Sequence, residues 1–243
     1  MIALVVTLAL AEEPAPNADT LLSQIDRNMT FDSRSLKITM TSINARRTRT
    51  FAMEAWGRGA DQSAIRYLSP ERDAGTKMLR VADELWMYMP SVEKVQKISG
   101  HMLRQGMMGS DVSYEDMMTA DSLRDDYTAK VVGSGAVDGH ACWKVEMIAK
   151  DNTVTYPKRE TCIDKQHKIA LESKMFALSG MLLKTWTMHD VQVFPDGRAY
   201  PMRMEIVDNL QTGTQTTLQF EDLVFGVKVP EEVFTTRWLE RVE

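Results

Sequence analysis

Histidine, cysteine and clustered basic charge are all scarce in this sequence, and each scarcity removes a class of function. The 243 residues hold 4 His and 2 Cys. His101, His140, His167 and His189 stand far apart, without the H-E-x-x-H or H-x-H spacing that puts two imidazoles on one metal. No G-x-S-x-G turn and no P-loop occurs, and no G-x-G-x-x-G lies between a strand and a helix. GSGAVDG is rich in Gly but sits between two strand-like runs, where a turn is the plainer reading. The 29 Lys and Arg are outnumbered by 34 Asp and Glu, giving a net charge of −5. They form no run that could track a nucleic-acid backbone. Paired acids such as Asp125-Asp126 and Glu231-Glu232 fall in polar turns and read as solvated surface. No catalytic group, cofactor, metal or nucleic-acid partner is therefore expected.

Long apolar runs are missing too. The longest candidate, MIALVVTLALA at residues 1–11, falls short of the roughly 20 residues a membrane helix needs. It fits the apolar core of a secretory signal, with Ala9-Leu10-Ala11 as a small-x-small cleavage pattern and polar EEPAPN after it. The usual positive n-region is absent, and a buried N-terminal strand is the alternative. Cleavage after Ala11 would deliver the product to the periplasm, and no Cys follows the site to carry a lipid anchor. On this reading residues 1–11 are the signal peptide and 12–18 a flexible segment. Residues 19–243 form one domain, since neither a linker nor a fixed-period repeat divides them.

An oxidising compartment favours joining Cys142 and Cys162. They lie in two alternating runs, HACWKVEMIAK and TYPKRETCID, connected by DNTV. As a hairpin these would set Cys142 opposite Cys162 and Ile148 opposite Tyr156. Two buried thiols, or half of a metal site, remain the alternatives.

What is present is a helix followed by many short strands. NADTLLSQIDRNM carries Leu21, Leu22, Ile25 and Met29 on one face, with Asn17 or Asp19 to cap it. From SLKITMTS onward the period changes to two. Alternating runs then recur to TQTTLQFE, with PDGRAYP and NLQTGTQ as turns between the last of them. Spacing this short leaves no room for parallel crossovers and implies an antiparallel meander. LWMYM is apolar on both faces, so that part of the sheet must be covered twice.

Methionine is the abundant residue, 18 of 243. Its unbranched, polarizable side chain fills irregular space and accepts variable apolar partners. Two Met–Met pairs bracket the polar knot in MMGSDVSYEDMM, residues 107–118. Ser113 and Asp116 have capping-box spacing, which places Tyr114, Met117 and Met118 on one helical face. Asp111, Glu115 and Asp116 are then free to remain in water.

GADQSAIRYLSPERDAGTKMLRVADELWMYMPSVEKVQKISG, then GSDVSYEDM, then a strand series ending VPEEVFTTRWLER, resembles the outer-membrane lipoprotein-sorting proteins related to the carrier LolA. The resemblance runs from about residue 20 to residue 241. Gly109, Ser110, Asp111, Tyr114, Glu115 and Asp116 match the family pattern, which assigns them no chemical role. The resemblance implies an α+β fold: one strongly curved antiparallel sheet, an unclosed half-barrel of about 10–11 strands. Helices would cover its concave face and enclose a hydrophobic cavity for acyl chains.

It further implies a non-enzymatic, monomeric periplasmic carrier of a lipid or lipoprotein bound for the outer membrane, in some members beside an inner-membrane transporter. The alternative on the same fold is an envelope-signal sensor that restrains a membrane partner. An envelope hydrolase would need a converging nucleophile and base. With residues 107–118 as a lid, Met107, Met108, Tyr114, Met117 and Met118 face the cavity. Ile38, Met40, Met53, Tyr67 and Met87 are the strand residues expected to line it.

The exported protein is expected to begin at Glu12 and to carry no lipid. Intact mass of periplasmic material checks this, and the full-length mass or an added diacylglyceryl group contradicts it.

Overall fold

The computed structural model describes residues 14–118 and 123–241. The expected signal at residues 1–11 and its cleavage point lie outside them. Helix α1, Ala18–Met29, starts where Asn17 turns extended and its side-chain oxygen accepts the Thr20 N–H at 3.2 Å. Leu21, Leu22 and Ile25 are buried, while Met29 at the C-terminal end is exposed.

Thirteen strands follow, two or three more than expected. β1 (Ser33–Asn44), β2 (Arg47–Arg58), β3 (Gln62–Ser69), β4 (Lys77–Val81), β5 (Glu84–Met89) and β6 (Lys94–Ile98) form one meander. β7 (Tyr127–Val137), β8 (His140–Ala149), β9 (Lys158–Asp164), β10 (Ala170–Phe176), β11 (Leu182–Val193), β12 (Ala199–Asp208) and β13 (Gln215–Phe225) form the second. The expected figure comes with the family resemblance, whereas the short runs here each form a separate strand. Ala82 and Glu93, both at positive φ, sit in the turns that separate β4, β5 and β6.

The strand order is β6-β5-β4-β3-β2-β1-β13-β12-β11-β10-β9-β8-β7, antiparallel throughout and unclosed. The two meanders meet at β1 and β13, so β6 and β7 are opposite edges of a single sheet. Residues 99–126 must therefore carry the chain from one edge to the other. They include α2, Tyr114–Met118, and α3, Leu123–Asp126.

Cross-strand partners point to the same face. The registers Ile38↔Met53, Met53↔Tyr67, Ile65↔Met78 and Met78↔Met87 align one apolar row across β1 to β5. Over this face lie residues 99–118 on the β1–β6 side, while α1 packs against Tyr127, Trp143, Val145, Met147 and Ile163 on the β7–β9 side. Trp56, Leu79, Trp86 and Tyr88 point the opposite way. There the C-terminal segment, with α4 at Thr236–Glu240, covers them with Val233, Phe234, Trp238 and Leu239. The double-sided LWMYM is thus covered by two different parts of the chain.

Cys142 and Cys162 are disulfide-bonded with Cα atoms 5.4 Å apart. The hairpin register differs from the expected one by a step of two. Cys142 faces Asp164, Cys162 faces Lys144, and Ile148 faces Lys158. The longer loop after Ala149 shifts the pairing, so the bridge runs diagonally between strands. It lies on the face away from α1, beside Ile169, Leu171 and Ala199.

Reduction should destabilise the protein by about 2–5 kcal/mol, since the bridge restricts the unfolded chain. Urea melts with and without reductant measure this, and thiol counting on the denatured, unreduced protein should find none. Two reactive thiols would contradict it.

Candidate functional site

The strap across the covered face begins as a compact double turn. Met107 N–H donates to Val112 O at 2.7 Å, Ser110 N–H to Met107 O at 3.0 Å, and Tyr114 N–H to Gln105 O at 3.2 Å. Gly106 is required here, because a Cβ would lie 2.1 Å from the Ser110 carbonyl oxygen. Ser42 Oγ donates to Gly109 O at 3.4 Å and Arg49 Nη1 to Met108 O at 3.0 Å, tying the turn to β1 and β2. The capping box forms as its spacing predicts. Ser113 N–H donates to Asp116 Oδ2 at 2.7 Å, and Asp116 N–H donates to Ser113 Oγ at 3.1 Å.

Two of the three acids in this segment are not in water. Asp111 is buried, where Thr216 on β13 donates its hydroxyl to Oδ2 at 2.7 Å and accepts the Asp111 N–H at 2.9 Å. Asp116 is buried as well, with Lys184 of β11 ion-paired to Oδ2 and the Tyr156 hydroxyl donating to Oδ1. Glu115 alone is half-exposed. Helix-capping logic places the carboxylates correctly along the chain. It does not foresee that the strap lays them on polar groups of distant strands.

The ten expected lining residues do come together. Met40, Met53, Tyr67, Met87, Met107 and Tyr114 are buried in one cluster, and Ile38, Met108, Met117 and Met118 pack against it half-buried. Phe51 meets Tyr67 edge-on at 5.7 Å, and the Tyr114 hydroxyl lies 4.0 Å from the Met87 sulfur. The cluster also takes in Met78, Leu85, Tyr200, Ile206 and Phe220, which were not among the expected lining residues although β12 and β13 show the period-two signal. Methionine side chains themselves occupy the space between sheet and strap. Two open hollows lie elsewhere, at the ends of the strands. One, lined by Asn44–Arg47 and Gln211, Thr212 and Thr214, is about 660 Å³; the other, beside Asn28 and Arg198, is about 470 Å³.

Beside the apolar cluster runs a polar strip. Lys184, Arg159, Thr161 and Ser173 project from β9 to β11 toward the covered face, under Asp116, Tyr127 and Tyr156. Burial pushes the Tyr127 and Tyr156 phenols above their ordinary range, and the Asp116 carboxylate raises Tyr156 further. Both phenols are therefore neutral donors. Nothing in KRETCID or LLKTW marks Arg159 or Lys184 as interior. Their burial follows from the register and from the strap above them.

An open, curved antiparallel sheet with helices on the enclosed face defines the LolA-like fold. A DUF1329 family protein from Desulfovibrio piger matches with a TM-score of 0.84 at 22% identity, over 91% of this chain and 97% of that one. An outer membrane lipoprotein-sorting protein domain from Vibrio parahaemolyticus matches with a TM-score of 0.82 at 23% identity, over 92% and 98%. A LolA superfamily protein from Nitrosomonas europaea gives 0.74 at 22%, over 92% and 100%. A family model described as "Uncharacterized protein"-like matches residues 59–241, and the chain belongs to that family. No curated protein matches the chain. Among the described residues, no helix is long and apolar enough to cross a membrane.

The Asp116–Lys184 pair yields a stability test, because its side chains are only 1% and 12% exposed. Lys184→Met should cost about 3–5 kcal/mol by stranding a buried carboxylate. Adding Asp116→Asn should recover part of that loss in urea melts. A single variant as stable as wild type would contradict the pairing.

Proposed function

We propose that the protein is a periplasmic carrier, without enzymatic activity, that binds the acyl chains of a lipid or lipoprotein between its sheet and the strap at residues 106–118. The observation that carries this reading is the methionine-rich cluster itself. A strap held among the described residues by a few hydrogen bonds and the Asp116–Lys184 pair closes Met107, Met108, Met117 and Met118 over a sheet face that presents Met40, Met53, Met78 and Met87. Such side chains repack around a guest more readily than branched ones do.

Burying a chain of ~16 carbons gains about 12 kcal/mol against water, at ~0.8 kcal/mol per methylene. A bilayer offers nearly the same gain, so exchange between membrane and protein is close to balanced. A carrier then needs only a pliable wall and a cover that lifts. The LolA-like fold supports this use of the face. The signal-like residues 1–11 and the disulfide support the periplasmic address. Delivery toward the outer membrane, receipt from an inner-membrane transporter and action as a monomer belong to the same proposal.

Met117→Asp with Met118→Asp should weaken binding of a fluorescent fatty acid by at least about tenfold, because the closed strap would bury two charges. Urea melts on the unliganded protein should move much less, since Met117 and Met118 are only half-buried there. Wild-type protein that binds no long-chain amphiphile, or a variant losing binding and stability in proportion, would sink the proposal.

A further inference from the structure

The charges on the covered face are not all paired. Lys184 is answered by Asp116, but Arg159 of β9 is 8% exposed and forms no ion pair among the described residues. Its Nε donates to the Tyr127 hydroxyl oxygen at 2.9 Å. Its guanidinium carbon lies 5.1 Å and 5.3 Å from the ring centroids of Tyr127 and Tyr156. These contacts hold the side chain in place and supply some cation–π attraction. Its two terminal nitrogens have no acceptor among the described residues and are not sealed from solvent, so they are open to an incoming group.

Burying a guanidinium without a counter-charge is costly, and proteins ordinarily avoid it. The nearby Asp116 is already engaged by Ser113, Tyr156 and Lys184. A buried donor without a partner lies on the same face. Trp186, opposite Ser173, buries its indole Nε1 with no acceptor among the described residues, and Ser173 bonds Thr161, two residues from Arg159. The strip therefore carries donors for which the described residues supply no acceptor. It also borders the methionine cluster directly. α2 turns Asp116 toward the strip while Met117 and Met118 pack on the cluster.

We infer that Arg159 receives the anionic group, a carboxylate or a phosphate, of the amphiphile whose chain lies beneath the strap. This rests on the acyl-chain reading above and specifies its ligand class. A planar fork of donors fits either oxyanion in two-point fashion, and the tyrosine rings keep the fork from turning away. A neutral headgroup would leave the guanidinium unanswered.

The test is a headgroup series at constant chain length, measured by calorimetry on the full mature protein. The probes are dodecanoate, dodecyl phosphate and dodecanol, with inorganic phosphate as the anion lacking a chain. Both anionic amphiphiles should bind at least about tenfold more tightly than dodecanol, the range of one charged hydrogen-bonded contact. Inorganic phosphate should bind far more weakly than dodecyl phosphate. Arg159→Gln should collapse the anion-to-alcohol ratio toward one, and Arg159→Lys should keep part of it.

Equal affinity for all three amphiphiles in the wild type would overturn the inference while acyl-chain binding stands. So would inorganic phosphate binding as tightly as dodecyl phosphate, which would mark a site for a free anion. Failure of every long-chain probe would remove the acyl-chain reading and the inference together. Because the wild-type series alone discriminates these outcomes, an Arg159 variant that fails to fold does not blunt the test.

Discussion

The chain leaves the sheet at one edge, β6, and must re-enter it at the other, β7. Laid flat, 13 strands would set those edges roughly 58 Å apart. Curvature brings them nearer and converts the connection into a strap that passes over β1, β13 and β11 in turn. Ser42, Thr216 and Lys184 mark those crossings. A segment forced across an enclosed sheet face must present apolar side chains downward and satisfy its own backbone. The methionines of residues 107–118 meet the first demand, and the double turn and capping box meet the second.

Two kinds of interaction hold the strap, and they differ in how they yield. Its polar anchors, Asp111 on Thr216 and Asp116 on Lys184 and Tyr156, are directional and fix where it lies. Its apolar contacts are numerous and individually weak, and unbranched side chains make them tolerant of rearrangement. Opening the strap therefore breaks a few well-defined bonds, while the sheet beneath it keeps its ladder intact. α1 and the disulfide stabilise the β7–β9 side independently of the strap, and α4 covers the opposite face. Mobility can thus be confined to the strap without loosening the rest of the fold.

Period-two alternation exposed nearly every strand, and in the folded sheet Ile38, Met40, Met53, Tyr67 and Met87 share one face. The capping box at Ser113 and Asp116 was legible for the same reason: it is local. What was not legible is long-range. The depth of Asp111 and Asp116 depends on Thr216 and Lys184, each far along the chain, and no periodicity encodes that meeting. Arg159 sits in KRETCID, which reads as a solvated strand. Only the register against Met147 and Met175 turns it inward. The hairpin of the two cysteines was recognised, but its pairing was misplaced by two residues, because loop length rather than strand pattern sets that register.

Hydrogen exchange under native conditions tests the central claim most directly. If the strap is a cover that lifts from a stable sheet, the amides of Met107, Ser110 and Tyr114 should exchange through a local opening. Their protection should fall well below that of the β1 and β13 amides and rise when a long-chain amphiphile is added. Strap amides that exchange only with global unfolding, and gain nothing from the amphiphile, would show that residues 107–118 are fixed core and would contradict the account.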